Sequence, residues 1–396
     1  MTQDMDADGS DDLPLAGLLI VDMCQFLSGP YASLRLQDMG ARVIKIERPD
    51  GGDLCRRFYL SDTEIGGDST IFHAINRSKQ SLALDLKLDV DRAALWQLIS
   101  HADVVLQNFR PGVIERLGFD HASVRAKHPK IVYGSISGYG HEGPWAHSPG
   151  QDLLAQARSG IMWLSGDDSH GPVPFGLPVA DIMAGAALAQ GILASLFRRE
   201  RTGKGAHVET SLLEALVDLQ FEVLTTHLND GQRPPKRSVE RSAHAYLSAP
   251  YGVYQTADGY IAIAMTPLAR LEALLETGEL DIFMNEPRDA FVHRDAIKSV
   301  IARKLRTQAT QFWLDRFQPA DIWCAAVLDW PDLMGGANFK ALDLLQTLNL
   351  RNGVNLSTTR IPLRFDGYRP ACAEAAPTIG QDSAAIRAEF SLDKPH

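Results

Sequence analysis

The sequence predicts an α/β protein: a large Rossmann-like domain with a mostly parallel sheet, then a smaller α+β domain. Three observations carry that reading. Short apolar runs alternate with helical runs from Leu18 to Ser211, glycine and proline punctuate the junctions, and a hairpin pattern takes over after a Pro-rich, charged stretch at 229–242. With 396 residues, 45% of them hydrophobic, the chain is long enough for about two domains with full cores.

Taken in order, Leu18 to Asp22 is a continuously apolar run. Gly29-Pro30 sets up a helix start, and Gly40 closes that helix before the β-prone run Arg42 to Glu47, which makes a compact βαβ unit. Ser81 to Leu86 reads as strand, Asp89 to His101 as helix and Val104 to Phe109 as strand. A short helix follows Pro111-Gly112, another runs from Ala122 to Lys127, and Lys130 to Ser135 is the next strand. The long helix to about Arg199 takes Asp181 as its N-cap, and its basic end suits the negative helix C-terminus. His207 to Ser211 reads as strand and Leu212 to Leu228 as one helix.

Residues 13–228 are thus the first part of the large domain, 229–242 a linker, 243–328 the small domain and 329–396 a return to the large one. In the small domain, Tyr251 to Gln255 and Tyr260 to Met265 flank Asp258-Gly259, a strong hairpin signal. Helical runs over Leu268 to Leu275, Arg288 to Arg306 and Thr310 to Phe317 precede an apolar stretch, Ile322 to Leu328. Arg360 to Phe365 and a terminal helix over Gln381 to Phe390 belong to the return.

Composition excludes several classes of function. Five of the acidic residues that set the net charge of −10 lie in residues 1–12, which read as a disordered tail; the body carries −5, which argues against nucleic acid. No basic n-region or apolar h-region opens the chain. Ile182 to Phe197 is apolar but short and ends in Arg198-Arg199-Glu200-Arg201, so it reads as a core helix and no membrane is expected. Four widely spaced cysteines, Cys24, Cys55, Cys324 and Cys372, suggest free thiols in a cytoplasmic protein, and nothing suggests a metal.

Ligands of doubly wound sheets sit outside the C-terminal strand ends. That places three junctions side by side: Phe26 to Pro30, Asn108 to Gly112 and Ser137 to Gly140. Basic residues are frequent in the same half (Arg42, Lys45, Arg48, Arg56, Arg57, Arg77, Lys79, Arg110 and Arg116) and suit a phosphate-bearing ligand. Gly138, Gly140 and Gly143 have dinucleotide-fingerprint spacing, but Pro144 and Pro149 follow where a helix should, which argues against nicotinamide.

The stretch from Tyr133 to Asp181 gathers the chemistry. Its loop, Gly166 to Pro174, packs Asp167, Asp168, Ser169 and His170 between glycines and prolines. A carboxylate nucleophile or base, flexible N–H donors and a hydroxyl are the parts acyl transfer needs. The same residue types dominate plain turns, so a solvated surface loop accounts for the composition equally.

These residues resemble the family III CoA-transferases, the group of formyl-CoA transferase and carnitine CoA-transferase. The matches run along nearly the whole chain: Pro14-Leu-x-Gly17, Gly29-Pro30, Gly40-Ala-x-Val-Ile-Lys-Ile-Glu-Arg48, Ser81-x-x-Leu-Asp-Leu-Lys87, Ala102-Asp-Val, Asn108-Phe-Arg-Pro-Gly112, Gly118-Phe, Gly138-Tyr, Gln156-Ala, Ala180-Asp181 and Thr202-Gly-Lys-Gly205. The resemblance implies an interlocked homodimer that moves CoA between an acyl-CoA and a small free carboxylic acid, with CoA as substrate and no tightly bound cofactor. It implies CoA contacts at Leu27, Ser28, Arg48, Leu84, Asp85, Leu86, Lys87, Asn108, Phe109, Arg110, Arg116, Ser137, Gly138, Tyr139 and Gly140. It also implies a covalent route through an aspartyl-CoA thioester.

A gapless alignment puts the family's catalytic aspartate at Ser169, with Asp167 and Asp168 just upstream. A loop slipped by one residue makes Asp168 the nucleophile, with Asp167 behind it. Ser169 with His170 as base ranks lower, since neighbours in an extended loop point apart. The α-methylacyl-CoA racemases share most of these motifs, but their histidine base is Gln151 here, and an amide is no general base. Their aspartate matches Asp181, which helix capping explains equally, and their glutamate falls near Thr266. A CoA-binding subunit without a nucleophile is the remaining alternative.

Overall fold

The computed structural model describes residues 13–239, 241–372 and 374–393, and the acidic tail expected over 1–12 lies outside them. Cα packing divides the chain into two units. One joins the residues up to Ala155, Pro178–Leu219 and the residues from Asp343 on; the other is Gln156–Leu177 with Gln220–Leu342. Segment 156–177 therefore packs with the second unit, and the chain re-enters the first at 343 where the sequence suggested 329.

The first unit is built on six parallel strands, β1 (Leu19–Asp22), β2 (Arg42–Glu47), β3 (Gln80–Ala83), β4 (Val104–Gln107), β5 (Val132–Ser137) and β6 (Ala206–Ser211). They lie in the order β3-β2-β1-β4-β5-β6, and every neighbouring pair is parallel. Such a sheet needs both faces covered, and β1, β4 and β5 are buried along their whole length. On one face, Leu95, Leu98 and Ile99 of α2 (Asp89–Ser100) and Ile386 of the C-terminal helix (Ser383–Glu389) pack on Val21, Ile44, Leu82, Val105 and Tyr133.

On the other face, α1 (Ser28–Gln37) packs against α3 (Val179–Thr202), which also lies on β5 and β6. The two helices meet at Gly185, where a Cβ would stand 2.4 Å from the Ser28 carbonyl oxygen. Among the described residues α3 alone is long and apolar enough to cross a membrane, but Ala184, Leu188, Ala189 and Ile192 are buried in the core, as the sequence suggested. The capping role expected of Asp181 is not seen. Pro178 is the N-cap, Asp181 sits in the first turn, and Asp152 accepts the Ala180 and Asp181 N–H groups at 2.7 and 3.2 Å.

The second unit has an antiparallel sheet of β7 (Gly252–Gln255), β8 (Tyr260–Ile263) and β9 (Cys324–Ala326), with β8 central. The hairpin turns at Asp258-Gly259 as expected. Tyr254, Ile261, Leu271, Ile297, Ile301, Trp313 and Phe317 form its core. Two long helices expected to run unbroken are interrupted. Leu212–Leu219 and Phe221–Asn229 break at Gln220, and Asp289–Val292 and α4 (Arg294–Leu305) break at His293. A hairpin in the first unit, Leu345–Asn349 with Asn355–Thr359, has no counterpart in the sequence reading, although Asn352-Gly353 (Gly353 φ +81°) is a turn signal that could have found it.

Candidate active site

Five of the segments expected to contact CoA follow the C-terminal ends of five consecutive sheet strands. Leu84 to Lys87 follow β3, Arg48 follows β2, Leu27 and Ser28 follow β1, Asn108 to Arg110 follow β4, and Gly138 to Gly140 follow β5, with Ser137 its last residue. The strand order reverses between β1 and β4, which in open α/β sheets marks the ligand crevice. Asn108 ties the two strands together there. Its Oδ1 accepts the Gln25 N–H at 2.8 Å, and its Nδ2 donates to the Gln25 carbonyl at 2.7 Å. Phe26 is held at φ +61°, a strained conformation for a bulky residue, and its N–H donates to Asp53 Oδ1 at 3.1 Å. The turn that presents Leu27 and Ser28 is therefore fixed from both sides. At β5, Gly138 and Gly150 lie back to back, and a Cβ on either would come 2.6 Å from the other's Cα.

The basic residues split into two groups, which corrects the expectation that they collect around a phosphate. Lys45, Arg56, Arg77 and Lys79 are buried and paired with Asp53, Glu47, Asp38 and Asp22 at 2.7–3.2 Å. Arg42 binds Glu389 through both terminal nitrogens. Against burial, Lys79 and Lys45 hold Asp22 down at about 2, and burial pushes Lys79 down to about 8. The four buried cations are taken up by these carboxylates and are not open to a ligand. Arg48, Arg57, Arg110, Arg116 and Lys87 are exposed.

Asp181 is half-buried beside Ser28, and burial with the Asp152 charge pushes its carboxyl up to about 7. This cannot be seen in the sequence, because Asp152 and Asp181 come together only when the chain on either side of the loop returns to the first unit.

The loop itself lies in the second unit. Asp167 is half-buried, and its Oδ1 accepts the Ser242 N–H at 2.7 Å. Asp168 and Ser169 are exposed, and the Asp168 N–H donates to the Ser238 carbonyl at 2.9 Å. Ser169 Oγ and His170 Nδ1 are 3.4 Å apart, so these neighbours do approach, contrary to expectation, though at long range and in solvent. Arg237, Ser238 and Ser242, within the stretch expected as a linker, hydrogen-bond to the loop. Ser238 Oγ accepts from Lys298 of α4 at 2.8 Å, and Arg294 donates to the Lys236 and Ala245 carbonyls. Burial, with Arg294 close by, pushes Lys298 down to about 8, while burial also lowers Arg294 against the opposing charges of Asp295 and Asp168. Trp145 and Trp163 are 42% and 55% exposed.

A family model described as CoA-transferase family III matches residues 15–383. Acetyl-CoA:oxalate CoA-transferase of Acetobacter aceti is 33% identical, over 96% of both chains. Succinyl-CoA:mesaconate CoA-transferase of Haloarcula marismortui is 31% identical, over 96% of this chain and 97% of its own. In structure, a CAIB/BAIF family protein from Brucella suis matches with a TM-score of 0.81 and 30% identity, over 96% of this chain and 99% of that one. By that match over nearly its whole length, the chain belongs to CoA-transferase family III.

Proposed function

We propose that this protein transfers CoA from an acyl-CoA thioester to a small free carboxylic acid, with Asp168 as the covalent nucleophile. The carrying observation is the division of labour in the loop: the Asp167 carboxylate is engaged by the Ser242 N–H, while Asp168 presents an exposed side chain from a backbone tied to Ser238.

The Asp168 carboxylate attacks the thioester carbonyl carbon. The C–S bond breaks, and a mixed anhydride and CoA thiolate form. The thiolate then attacks the aspartyl carbonyl of the anhydride, which releases the donor acid as carboxylate and leaves an aspartyl-CoA thioester. The acceptor carboxylate repeats both steps in reverse, takes the CoA and frees Asp168. No proton is gained or lost overall. Phosphate contacts at Arg48, Arg110, Arg116 and Lys87 hold CoA by its nucleotide end, so that remote binding energy can be used at the reacting carbon.

Relatives are named for oxalate, mesaconate and glutarate. The acceptor class we propose is accordingly a short dicarboxylate. The working assembly is an interlocked homodimer in the cytoplasm. Helix Phe221–Asn229, with no buried residue and Phe221 and Leu228 69% and 58% exposed, supports a second copy as its cover.

The test offers acetyl-CoA and succinyl-CoA with oxalate, glutarate and mesaconate and reads new thioesters by mass spectrometry. Transfer is expected for at least one pair and should vanish in Asp168→Ala, with Asp167→Ala retaining it. Persistence in Asp168→Ala and loss in Ser169→Ala would hand the role to the serine. CoA binding without any new thioester would mean a subunit that lacks chemistry of its own.

A further inference from the structure

We propose that Arg237 is the positioning residue of this reaction: its buried guanidinium fastens the two arms of the nucleophile loop together and holds Asp168 ready to attack. The inference rests on the role proposed for Asp168. Arg237 is 4% exposed. Its Nη1 donates to the Ser165 carbonyl at 2.6 Å and the Gly171 carbonyl at 3.1 Å, and its Nη2 donates to the His170 carbonyl at 2.6 Å. Ser165 precedes the Asp167-Asp168-Ser169 run and His170 and Gly171 follow it. One side chain thus closes the base of the loop.

The loop has no helix or strand of its own and begins at Gly166 with φ +73°. Asp167 is tied to the Ser242 N–H, and Asp168 is the exposed one of its two carboxylates. Three carbonyls converging on one spot need a cation with several donors in a plane. Guanidinium supplies five, whereas an ammonium is a point charge whose three donors do not match a planar set. The fork is itself held: Ser238, next in the chain, receives the Asp168 N–H on its carbonyl and the Lys298 ammonium on its hydroxyl. Helix α4, the residues Lys236, Arg237, Ser238 and Ser242, and the loop therefore form one connected hydrogen-bond network, with Arg237 at the point where a single truncation releases both arms. A carboxylate displaced by about 1 Å from its attack geometry can lose on the order of 100-fold in rate.

The experiment uses full-length Arg237→Ala and Arg237→Lys, with the donor and acceptor pair on which the wild type turns over. In Arg237→Ala, kcat should fall on the order of 100-fold while KM for the acyl-CoA and the calorimetric Kd for CoA stay within about threefold. Arg237→Lys should recover only part of the loss. Amide exchange read by mass spectrometry should accelerate in the peptide spanning the loop and leave β1 and β4 unchanged. Added guanidinium ion at low millimolar concentration should restore activity to Arg237→Ala and not to Arg237→Lys, a response that a general packing role would not give. Wild-type kcat in Arg237→Ala, or a loss matched by equal losses of CoA affinity and thermal stability, would overturn the inference. An inactive wild type would overturn the proposed function and this role with it, whereas an active wild type with an unaffected variant overturns this role alone.

Discussion

Asp181→Asn removes one ionisable group from the half-buried pair with Asp152 and should change how stability depends on pH. In the folded protein the Asp181 carboxyl is raised from 3.8 to about 7, by burial first and then by the Asp152 charge, against a hydrogen bond from Ser28. The folded state therefore binds this proton more tightly than the unfolded chain does. Stability must fall as pH rises from about 4 to about 7, and the Asp181 contribution is flat above that. Between about pH 5.5 and about pH 8.5 the falling part covers about 1.5 units, and at about 1.4 kcal/mol per unit it amounts to about 2 kcal/mol.

The amide keeps the shape and cannot ionise, so the variant should lose that slope. Urea unfolding followed by circular dichroism at the two pH values measures it: the wild type should lose about 2 kcal/mol more than Asp181→Asn does. Asp181→Asn should be the more stable protein at the alkaline end. Parallel losses in the two proteins would refute the reasoning, because they would mean that Asp181 is already ionised at the lower pH.

Two further outcomes follow from packing. Gly185→Ala puts a methyl 2.4 Å from the Ser28 carbonyl oxygen, a backbone atom that cannot rotate away, so the α1–α3 contact must open. A loss of about 1–3 kcal/mol in urea is expected, with weaker CoA binding because Ser28 moves with the helix. Arg56→Met leaves Glu47 buried without its guanidinium partner, which sits at 2.7 and 2.9 Å, and should cost about 3–5 kcal/mol, read as a lowered urea midpoint. If Arg56 instead held phosphate, that variant would raise KM for the acyl-CoA and leave stability alone.

The alternation of apolar strand runs with helical runs made the parallel sheet legible, because a strand buried on both faces needs continuous Val, Ile and Leu and a crossover helix needs its own apolar stripe. Arg42–Glu47, Leu268–Leu275 and Thr310–Phe317 have the bounds their sequence suggests. The junctions after β1, β4 and β5 were likewise legible as neighbours, since topology orders strand ends before any side chain is placed. Ordered motifs along the chain also pointed to the family.

Long-range pairing was not legible. Lys45, Arg56, Arg77 and Lys79 look in sequence like Arg48 and Arg116, and only the fold shows that they meet buried carboxylates while the others stay in water. Residues 229–242 read as linker because composition records polarity and not partners, yet Arg237 and Ser238 are bound to a loop some seventy residues upstream. The sequence by itself determined the sheet, its crossover helices and the residue types offered to a thioester, because those depend on local periodicity and local chemistry. Which acidic side chain is engaged, which is presented and what holds the loop were decided by tertiary structure alone, since hydrogen bonds between distant segments exist only after the chain has closed on itself.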